Sequence, residues 1–380
     1  MRVAALADDT SGALEVGAQF AGQGVRAPVM LELELASQPL EAGALVVDMQ
    51  TRHFEPQAAR ERVAQILAWA RAWDLGYVYL KTDSTLRGPI GAQFEALLDT
   101  WPERPLVYVP GYPAMGRQVR DGVLLVEGRP LCETPFARDL LNPVREGDIV
   151  RLLAATCRAP AMSVQSAEQL RVLLQQGDGR KVLVCDASTE SELEAIAAVL
   201  APHAQQVLVA GTGGFAGYWV RNLPVERQLR SWGLGVRRWL VVNGSLHPRS
   251  REQIARACLP ELESGGTATS GWGWAVLPKP ARPGASPAEI ASALGREAAR
   301  IIREQAVGGV VVFGGDTVRA VLRALGASLI EPCGELLPGV PISRLPTTDL
   351  VLVTKAGGFG PVDVLLRIRE EVDRRACSSA

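Results

Sequence analysis

The chain has few of the residues that build disulfide, zinc or imidazole chemistry. Its six cysteines lie far apart without a C-x-x-C pair, and no neighbouring histidine completes a zinc site at the usual spacings. We interpret them as reduced thiols: Cys132, Cys157, Cys185, Cys258, Cys333 and Cys377. Only three histidines are present, which argues against a mechanism that needs several imidazoles.

The chain also lacks an excess of one charge and a long apolar run. Its 40 lysines and arginines stand against 41 aspartates and glutamates, so no general field attracts nucleic acid or an anionic membrane. No run approaches the roughly 18 apolar residues of a membrane span, and the first residues lack the pattern of a signal peptide. We therefore expect a cytoplasmic protein without nucleic-acid or membrane partners, in which any bound anion is held by a local site.

The length and the hydrophobic pattern indicate two α/β domains. At about 150 residues per domain, 380 residues suffice for two domains with sizeable cores. Short β-branched runs recur, each followed by a glycine- or aspartate-containing turn and a segment with helical spacing. We expect two domains, residues 1–230 and 231–380, each with a mostly parallel sheet flanked by helices and with the active site in the cleft between them.

Strands and helices can be assigned along most of the chain. The predicted strands are Arg2–Ala7, Ala44–Asp48, Tyr77–Lys81, Leu106–Val109, Lys181–Asp186, Gln206–Ala210, Trp239–Asn243, Gly273–Leu277, Gly309–Phe313 and Asp349–Thr354. The predicted helices of the first half are Gly12–Gln23, Pro56–Trp73, Ile90–Trp101 and Thr189–Ala201. Residues 111–148 contain four prolines, which favours an irregular or short-stranded excursion, such as a lid.

Glycine-rich turns follow three strands of the second half. They are Asn243-Gly244-Ser245, Gly314-Gly315-Asp316-Thr317 and Lys355-Ala356-Gly357-Gly358-Phe359-Gly360. Glycine lets backbone amides approach a ligand, and a helix N-terminus adds free donors, so such turns suit phosphate as well as an ordinary strand-to-helix turn. Neither a P-loop motif nor a G-x-G-x-x-G after the first strand is present.

Charged and hydroxyl side chains follow the strands of the first half instead. They are Asp8-Asp9, Gln50-Thr51-Arg52 and the strip Lys81-Thr82-Asp83-Ser84-Thr85-Leu86-Arg87-Gly88. The aspartate pair suits either a helix cap or a functional site. The strip offers charges and donors for a small polyhydroxylated anion, and Arg52 could add a bidentate carboxylate contact; the alternative is an ion-paired loop.

Several of these motifs together resemble the four-carbon acid sugar kinase family. The similar stretches run in order from residue 3 to about residue 368: Ala7-Asp8-Asp9 with Gly12-Ala13, Lys81 to Gly91, Gly128-Arg129-Pro130 with Glu133-Thr134, Gly314 to Thr317, and Lys355 to Gly360. The resemblance implies a sugar-acid-binding domain followed by a nucleotide-binding domain. It also implies ATP-dependent phosphorylation of an acid such as threonate, erythronate or 3-oxo-tetronate, as against a nucleotide-independent isomerase or sugar-acid-binding protein.

The resemblance and the strand-end clusters assign roles to individual residues. For the acid they give Asp8, Asp9, Arg52, Lys81, Thr82, Asp83, Ser84 and Arg87. For ATP they give Ser245, Gly314, Gly315, Asp316, Thr317, Gly357 and Gly358. Two departures from the family pattern, Thr10-Ser11 and Glu15, lie close to the expected acid and bear on which acid is bound.

A mechanism can be sketched from these assignments. Glycine amides would hold the polyphosphate, and Mg²⁺ would neutralise its charge with help from a carboxylate, for which Asp316 is a candidate and helix capping the alternative. Lys81 and Arg52 hold the acid's carboxylate, although Lys81 could instead neutralise the transferring phosphoryl group. Asp83, slightly ahead of Asp9, accepts the hydroxyl proton. We expect D-threonate phosphorylated at its 4-hydroxyl and a homodimer, with the metal ligands left open.

Overall fold

The computed structural model describes residues 2–31, 42–70, 75–139, 142–177, 179–228, 235–262, 273–280 and 284–378. The chain divides into two compact units: unit 1 holds residues 1–27 and 36–228, and unit 2 holds residues 28–35 and 229–380. Unit 2 therefore takes in a short piece of the first half of the chain. The division of labour expected between residues 1–230 and 231–380 stays a prediction at this point.

Strands and helices alternate through most of the chain. The described residues form strands β1 Arg2–Ala7, β2 Val29–Met30, β3 Ala44–Asp48, β4 Leu75–Lys81, β5 Leu106–Val109, β6 Arg117–Arg120, β7 Val123–Val126, β8 Arg129–Pro130, β9 Ala161–Val164, β10 Val182–Cys185, β11 Leu208–Gly211, β12 Trp239–Asn243, β13 Trp274–Leu277, β14 Gly309–Phe313, β15 Leu329–Leu337, β16 Val340–Leu345 and β17 Leu350–Lys355. They form helices α1 Thr10–Gly22, α2 Pro56–Ala70, α3 Ile90–Thr100, α4 Ile149–Thr156, α5 Ala167–Gln175, α6 Glu190–Leu200, α7 Gly213–Arg221, α8 Pro248–Ala257, α9 Pro287–Glu304, α10 Gly315–Leu325 and α11 Val364–Ser378.

The sheet of unit 1 is parallel throughout, in the order β3-β1-β4-β11-β5-β10-β9. Its central strands are apolar at almost every position and buried, as expected for a parallel sheet covered by helices on both faces. A separate antiparallel sheet, β6-β7-β8, occupies part of the proline-rich stretch, which the sequence predicted to be irregular or short-stranded. The α/β prediction is confirmed for this unit.

The sheet of unit 2 is parallel over β13-β12-β14-β17 and continues with antiparallel β16, β15 and β2. Strands β15 and β16 form a hairpin that the sequence analysis did not predict. Its turn is Pro338-Gly339, in which Gly339 has φ +70°, a conformation that glycine adopts without strain. Trp239 and Trp274 stack at 5.1 Å between ring centroids in the core of this unit.

Several predicted boundaries agree with the structure and a few do not. Helix α1 begins at Thr10, two residues before its predicted start, because Asp9 caps it by accepting from the Gly12 amide. The predicted end of α2 at Trp73 lies outside the described residues, as do residues 263–272.

Candidate functional site

The register of unit 1 brings its polar strand ends to one edge of the sheet. Ala7, the last residue of β1, lies beside Asp48 of β3 and Lys81 of β4, and Lys81 lies beside Gly211 of β11. The residues that follow these positions therefore emerge together at the carboxyl edge, where parallel α/β sheets usually bind ligands. We call the charged side chains at this edge the acidic-basic cluster: Asp8, Asp9, Glu15, Arg52, Lys81, Asp83 and Arg87.

Arg52 is at the centre of this cluster and contacts three aspartates. Its Nε and Nη2 donate to the two carboxylate oxygens of Asp8 at 2.8 and 2.9 Å, and its Nη1 donates to Asp9 at 2.5 Å. Asp83 lies 3.4 Å from Nη2. Three of the five N–H groups of the guanidinium are thus directed at Asp8 and Asp9, so Arg52 orders these carboxylates before any ligand arrives.

Asp83 is held tightly by Arg87 and by its own loop. Arg87 donates from Nε and Nη2 at 2.7 and 2.9 Å, and the Thr85 hydroxyl donates at 2.5 Å. Burial alone would raise the pKa of Asp83, but Arg87 and Arg52 outweigh it and hold the pKa well below its usual value. Asp83 is therefore a fixed anion and a weak proton acceptor.

Lys81 has looser contacts than the two arginines. Its Nζ lies 3.5 Å from Glu15 Oε2, and both side chains are largely buried. Burial opposes the charge on Lys81, but Glu15, Asp8 and Asp9 outweigh it and raise its pKa. Lys81 therefore remains a cation with donors to spare for an anionic ligand.

Two glycines make room for the Lys81–Glu15 pair. A Cβ at Gly12 would lie 2.8 Å from Asp9 Oδ1 and 2.9 Å from Lys81 Nζ, and a Cβ at Gly213 would lie 2.2 Å from Glu15 Cδ. Both contacts are too short for a real side chain. The sequence analysis noted Glu15 only as a departure from the family pattern, because nothing local in the sequence connects it to Gly213.

The hydroxyl-bearing residues lie at the same edge. Thr82 Oγ1 shares a hydrogen bond of 3.0 Å with the Tyr108 hydroxyl, and Ser84 is buried. Gln50 donates to Asp48 at 2.6 Å and adopts φ +57°, a strained conformation for this residue type, and Leu86 in the strip has φ +59°. Such strain is common where a loop is shaped for a ligand.

The register of unit 2 aligns the three glycine-rich turns. Asn243 of β12 lies beside Phe313 of β14, and Phe313 lies beside Lys355 of β17. Each strand ends there, so the turns that start at Gly244, Gly314 and Ala356 leave the sheet side by side. The structure thus brings together the turns that the sequence assigned to the nucleotide.

The glycines of these turns lie so close to neighbouring residues that the turns form one surface. A Cβ at Gly357 would lie 2.2 Å from Ser245 Oγ, and a Cβ at Gly358 would lie 3.2 Å from His247 Nε2. Gly314 has φ +98°, and a Cβ on it would lie 3.3 Å from the Ser245 amide nitrogen. Ser245 is therefore central to the surface, with Gly314 on one side and Gly357 on the other.

Further residues of this surface hold the turns in place. Thr317 packs so closely on Gly244 that a Cβ there would lie 1.9 Å from Thr317 Oγ1, while Asp316 is exposed in the first turn of α10. Lys355 is fully buried, and burial lowers its pKa to about 7, with Arg249 acting in the same direction. The sequence analysis quoted Lys355 within a motif but gave it no role.

The described residues offer neither a ready-made metal site nor a membrane-spanning helix. No group of three or more histidine, cysteine, aspartate or glutamate side chains in them is arranged to hold a metal ion. Within the same part of the chain, no helix combines the length and the apolar character needed to cross a membrane.

Comparison with known proteins identifies two domain families in the chain. The family described as "Sugar-binding N-terminal domain" matches residues 3–219, and the family described as "Nucleotide-binding C-terminal domain" matches residues 279–365. A curated D-threonate kinase of Bordetella bronchiseptica is 31% identical, with 97% of each chain covered. A 3-oxo-tetronate kinase of Methylobacterium radiotolerans is 26% identical over 94% of this chain and 96% of that protein.

Two solved structures resemble the whole chain. A protein of Salmonella typhimurium LT2 superposes with a TM-score of 0.81 at 23% identity, covering 97% of this chain and 99% of that chain, which shows a shared fold. A Bordetella bronchiseptica protein, described as a domain of unknown function (DUF1537) with bound citrate in a domain swapped dimer, gives a TM-score of 0.53 at 28% identity and covers 98% of each chain.

Proposed function

The chain belongs to the four-carbon acid sugar kinase family, and on that premise we propose that it is an ATP-dependent kinase of a four-carbon sugar acid. The best candidate for the acceptor is D-threonate, because D-threonate kinases are 31 and 28% identical over 97 and 99% of this chain, against 26 and 27% for two 3-oxo-tetronate kinases. We place the phosphoryl group on its 4-hydroxyl. D-Erythronate and 3-oxo-tetronate are the alternative acceptors, since other relatives carry those names.

The acidic-basic cluster of unit 1 supports a site for the acid. Lys81 is a charged amine with a single carboxylate neighbour at 3.5 Å, so its remaining N–H groups suit the carboxylate of the acid. Arg52 keeps one N–H on Nη1 beyond the one directed at Asp9, whereas Nη2 has Asp8 at 2.9 Å and Asp83 at 3.4 Å. Carboxylate and hydroxyl oxygens of Asp8, Asp9, Thr82 and Ser84 suit the hydroxyl groups of such a substrate.

The proton acceptor that the geometry favours is Asp9 rather than Asp83. Asp83 is nearly buried and accepts from Arg87 and Thr85, and its pKa lies well below the usual value. The Asp9 side chain is 21% exposed. One of its carboxylate oxygens accepts a hydrogen bond from the Gly12 amide, and the other accepts one from Arg52. Phosphoryl transfer needs only modest base assistance, so an oriented carboxylate is sufficient.

The glycine turns of unit 2 support a site for ATP. Gly315, Thr317, Gly357 and Gly358 would contact the phosphates through their backbone amides, and Ser245 through its hydroxyl. The amides of Ser245 and Gly314 already donate to Asn243 Oδ1 and to the Lys355 carbonyl, so Gly314 would serve by leaving room for the phosphates. Mg²⁺ bound to these phosphates would neutralise charge on them, and Asp316 would supply a carboxylate for it. Phosphoryl transfer requires the acid and the nucleotide to lie next to each other, which is why a cleft between the domains is expected. This cleft, the homodimer and the cytoplasmic location stay predictions.

The observation that carries the proposal is that three glycine turns lie side by side in unit 2, while unit 1 of the same chain holds the acidic-basic cluster. Calorimetry with ADP tests the nucleotide first, and no binding at millimolar ADP would refute the kinase. A coupled ADP-release assay over the stereoisomers of threonate, erythronate and 3-oxo-tetronate then identifies the acid. ADP binding without turnover on any of them would leave a nucleotide-binding protein of another activity.

A further inference from the structure

The carbonyl groups of the third glycine turn, residues 356–361, point into unit 2 and are almost all paired. Lys355 Nζ donates to the carbonyls of Ala356 and Gly357 at 2.8 and 3.0 Å, and the Ser250 hydroxyl donates to the Gly357 carbonyl at 2.7 Å. Gln253 Nε2 lies 2.9, 3.1 and 2.9 Å from the carbonyls of Phe359, Gly360 and Pro361. Three side chains thus hold five of the six carbonyls of this turn.

The amides of the same turn are left for another partner. In the part of the chain that the structure describes, the Gly357 and Gly358 amides donate to no acceptor, whereas the Phe359 amide donates to the Ala356 carbonyl. A peptide unit that directs its carbonyl one way directs its N–H the other way. Lys355 and Ser250 hold the carbonyls of Ala356 and Gly357, and the Gly357 and Gly358 amides of the same two peptide units therefore point away from these donors, where they are free for an anion. Gln253 holds the carbonyls at the far end of the turn and fixes its path there.

Helix α8 supplies two of the three donors. Ser250 and Gln253 are three residues apart on one face of α8, and both are fully buried. The orientation of the Gln253 amide is determined by its surroundings, because only its NH₂ group can donate to carbonyls, and its two N–H groups are shared among the three nearby oxygens. Its Oε1 is buried and has no hydrogen-bond partner among the described residues.

That unpaired oxygen bears on what Gln253 does. A buried acceptor without a partner is unfavourable, and an apolar side chain of similar size would avoid the cost. The residue at this position is therefore better explained by its donor group, which reaches three turn carbonyls, than by packing. Lys355, at the end of β17, likewise donates to carbonyls of the turn. Its Nζ also lies 4.9 Å from the centre of the Phe313 ring, which is a cation–π contact.

We propose that Lys355, Ser250 and Gln253 form a carbonyl clamp that holds the turn of residues 356–361 in the conformation that binds nucleotide phosphates. The three are positioning residues, because they act on the nucleotide through the turn. The inference rests on the proposed kinase function, and it adds helix α8 and the buried lysine to the nucleotide site.

The test compares ADP binding by calorimetry in the full-length wild type, Gln253→Met and Ser250→Ala. Methionine keeps the volume of glutamine but removes the donor, and we expect its ADP dissociation constant to rise at least about tenfold. Ser250→Ala removes one of two donors to the Gly357 carbonyl and should give a smaller rise. Arg251→Met, on the exposed side of α8, is the matched control and should bind ADP as the wild type does.

Acid binding and folding separate a local effect from general damage. D-Threonate affinity and the circular dichroism spectrum should be unchanged in all variants, so that only KM for ATP rises in turnover. If Gln253→Met does not fold, Lys355→Arg and Lys355→Met carry the test, because arginine keeps the donors and methionine removes them. Wild-type ADP affinity in Gln253→Met, or equal losses of ADP and acid affinity, would overturn the clamp; failure of the wild type to bind ADP would refute the kinase instead.

Discussion

At the scale of single residues, each half of the chain uses a different kind of donor for anions. Unit 1 gathers charged side chains around Arg52, whereas unit 2 leaves the Gly357 and Gly358 amides without an acceptor among the described residues. The residue types were visible in the sequence. Their pairings were not, since Arg52 lies more than 40 positions from Asp8 and Asp9, and Glu15 lies far from both Lys81 and Gly213.

The space beside Glu15 gives the first prediction. In Gly213→Ala the new Cβ would displace Glu15 from Lys81, and we expect KM for the acid to rise about tenfold while ADP affinity is unchanged. The shorter carboxylate of a Gly213→Ala/Glu15→Asp double variant should restore part of the loss. Gly22→Ala in α1, where a Cβ meets nothing within 4 Å, is the control. Steady-state kinetics check this, and equal KM values in both glycine variants would contradict it.

The identity of the proton acceptor gives the second prediction. Asn in place of Asp9 still caps α1 but cannot accept a proton, so we expect kcat to fall by roughly 10²-fold or more with ADP affinity unchanged. Asp83→Asn should chiefly raise KM for the acid and lower the unfolding temperature, because it breaks the pair with Arg87. Glu194→Gln on α6 serves as a surface control. A larger loss of kcat in Asp83→Asn than in Asp9→Asn would restore Asp83 as the base.

At the scale of elements, strand register decides which turns meet. The strand ends Asn243, Phe313 and Lys355 are in register, so three turns separated by more than 30 residues form one surface. The sequence predicted the strands and the turns, because β-branched runs and glycines are local signals. The hairpin β15–β16 and the two-residue strand β2 were missed, because pairing between distant segments leaves little trace in a single sequence.

The buried lysine at the end of β17 gives the third prediction. Burial lowers the pKa of Lys355 to about 7, so at pH 8 the amine is largely neutral in the free protein, and bound phosphates should raise its pKa again. ADP binding at pH 8 should then take up close to one proton in the wild type and fewer in Lys355→Met. Calorimetry in two buffers of different ionisation enthalpy measures the difference, and identical uptake in both proteins would contradict it.

The same shift has a defined sign for folding. The pKa of Lys355 is lower in the folded protein than in the unfolded chain, so above pH 7 the unfolded state binds more protons. The contribution of Lys355 to the free energy of unfolding therefore becomes more favourable as pH rises from about 7 towards the unfolded value of 10.5. The Lys355→Met variant should lack this pH-dependent contribution in urea unfolding.

At the scale of the whole molecule, the near-zero net charge is compatible with two separate anion sites. The formal charge of −1 is the sum over a chain that has a cluster of opposed charges in unit 1 and, in unit 2, the Gly357 and Gly358 amides, which have no acceptor among the described residues. Neither site needs a global field, because short-range hydrogen bonds and local charge suffice for small anions.

The division of labour between the units gives the fourth prediction. In the intact chain, ADP should slow amide hydrogen exchange most in peptides from residues 235–262 and 309–361, and D-threonate most in peptides from residues 2–24 and 75–90. Mass spectrometry after exchange measures both. A reversed pattern, or equal protection of both regions by each ligand alone, would contradict the assignment of the acid to unit 1 and the nucleotide to unit 2.

The sequence by itself determined the fold class, most parallel strands, the polar and glycine-rich turns and the family resemblance, because all of these are carried by local residue patterns. Only the tertiary structure decided which side chains face one another. It showed that the Asp83 carboxylate is paired with Arg87 and that Glu15 helps to raise the pKa of Lys81. It also showed that Lys355 and Gln253 donate to carbonyls of the third glycine turn. The physical reason is that pKa values, hydrogen-bond partners and the direction of free amides depend on neighbours brought together by strand register, and a one-dimensional pattern does not contain those distances.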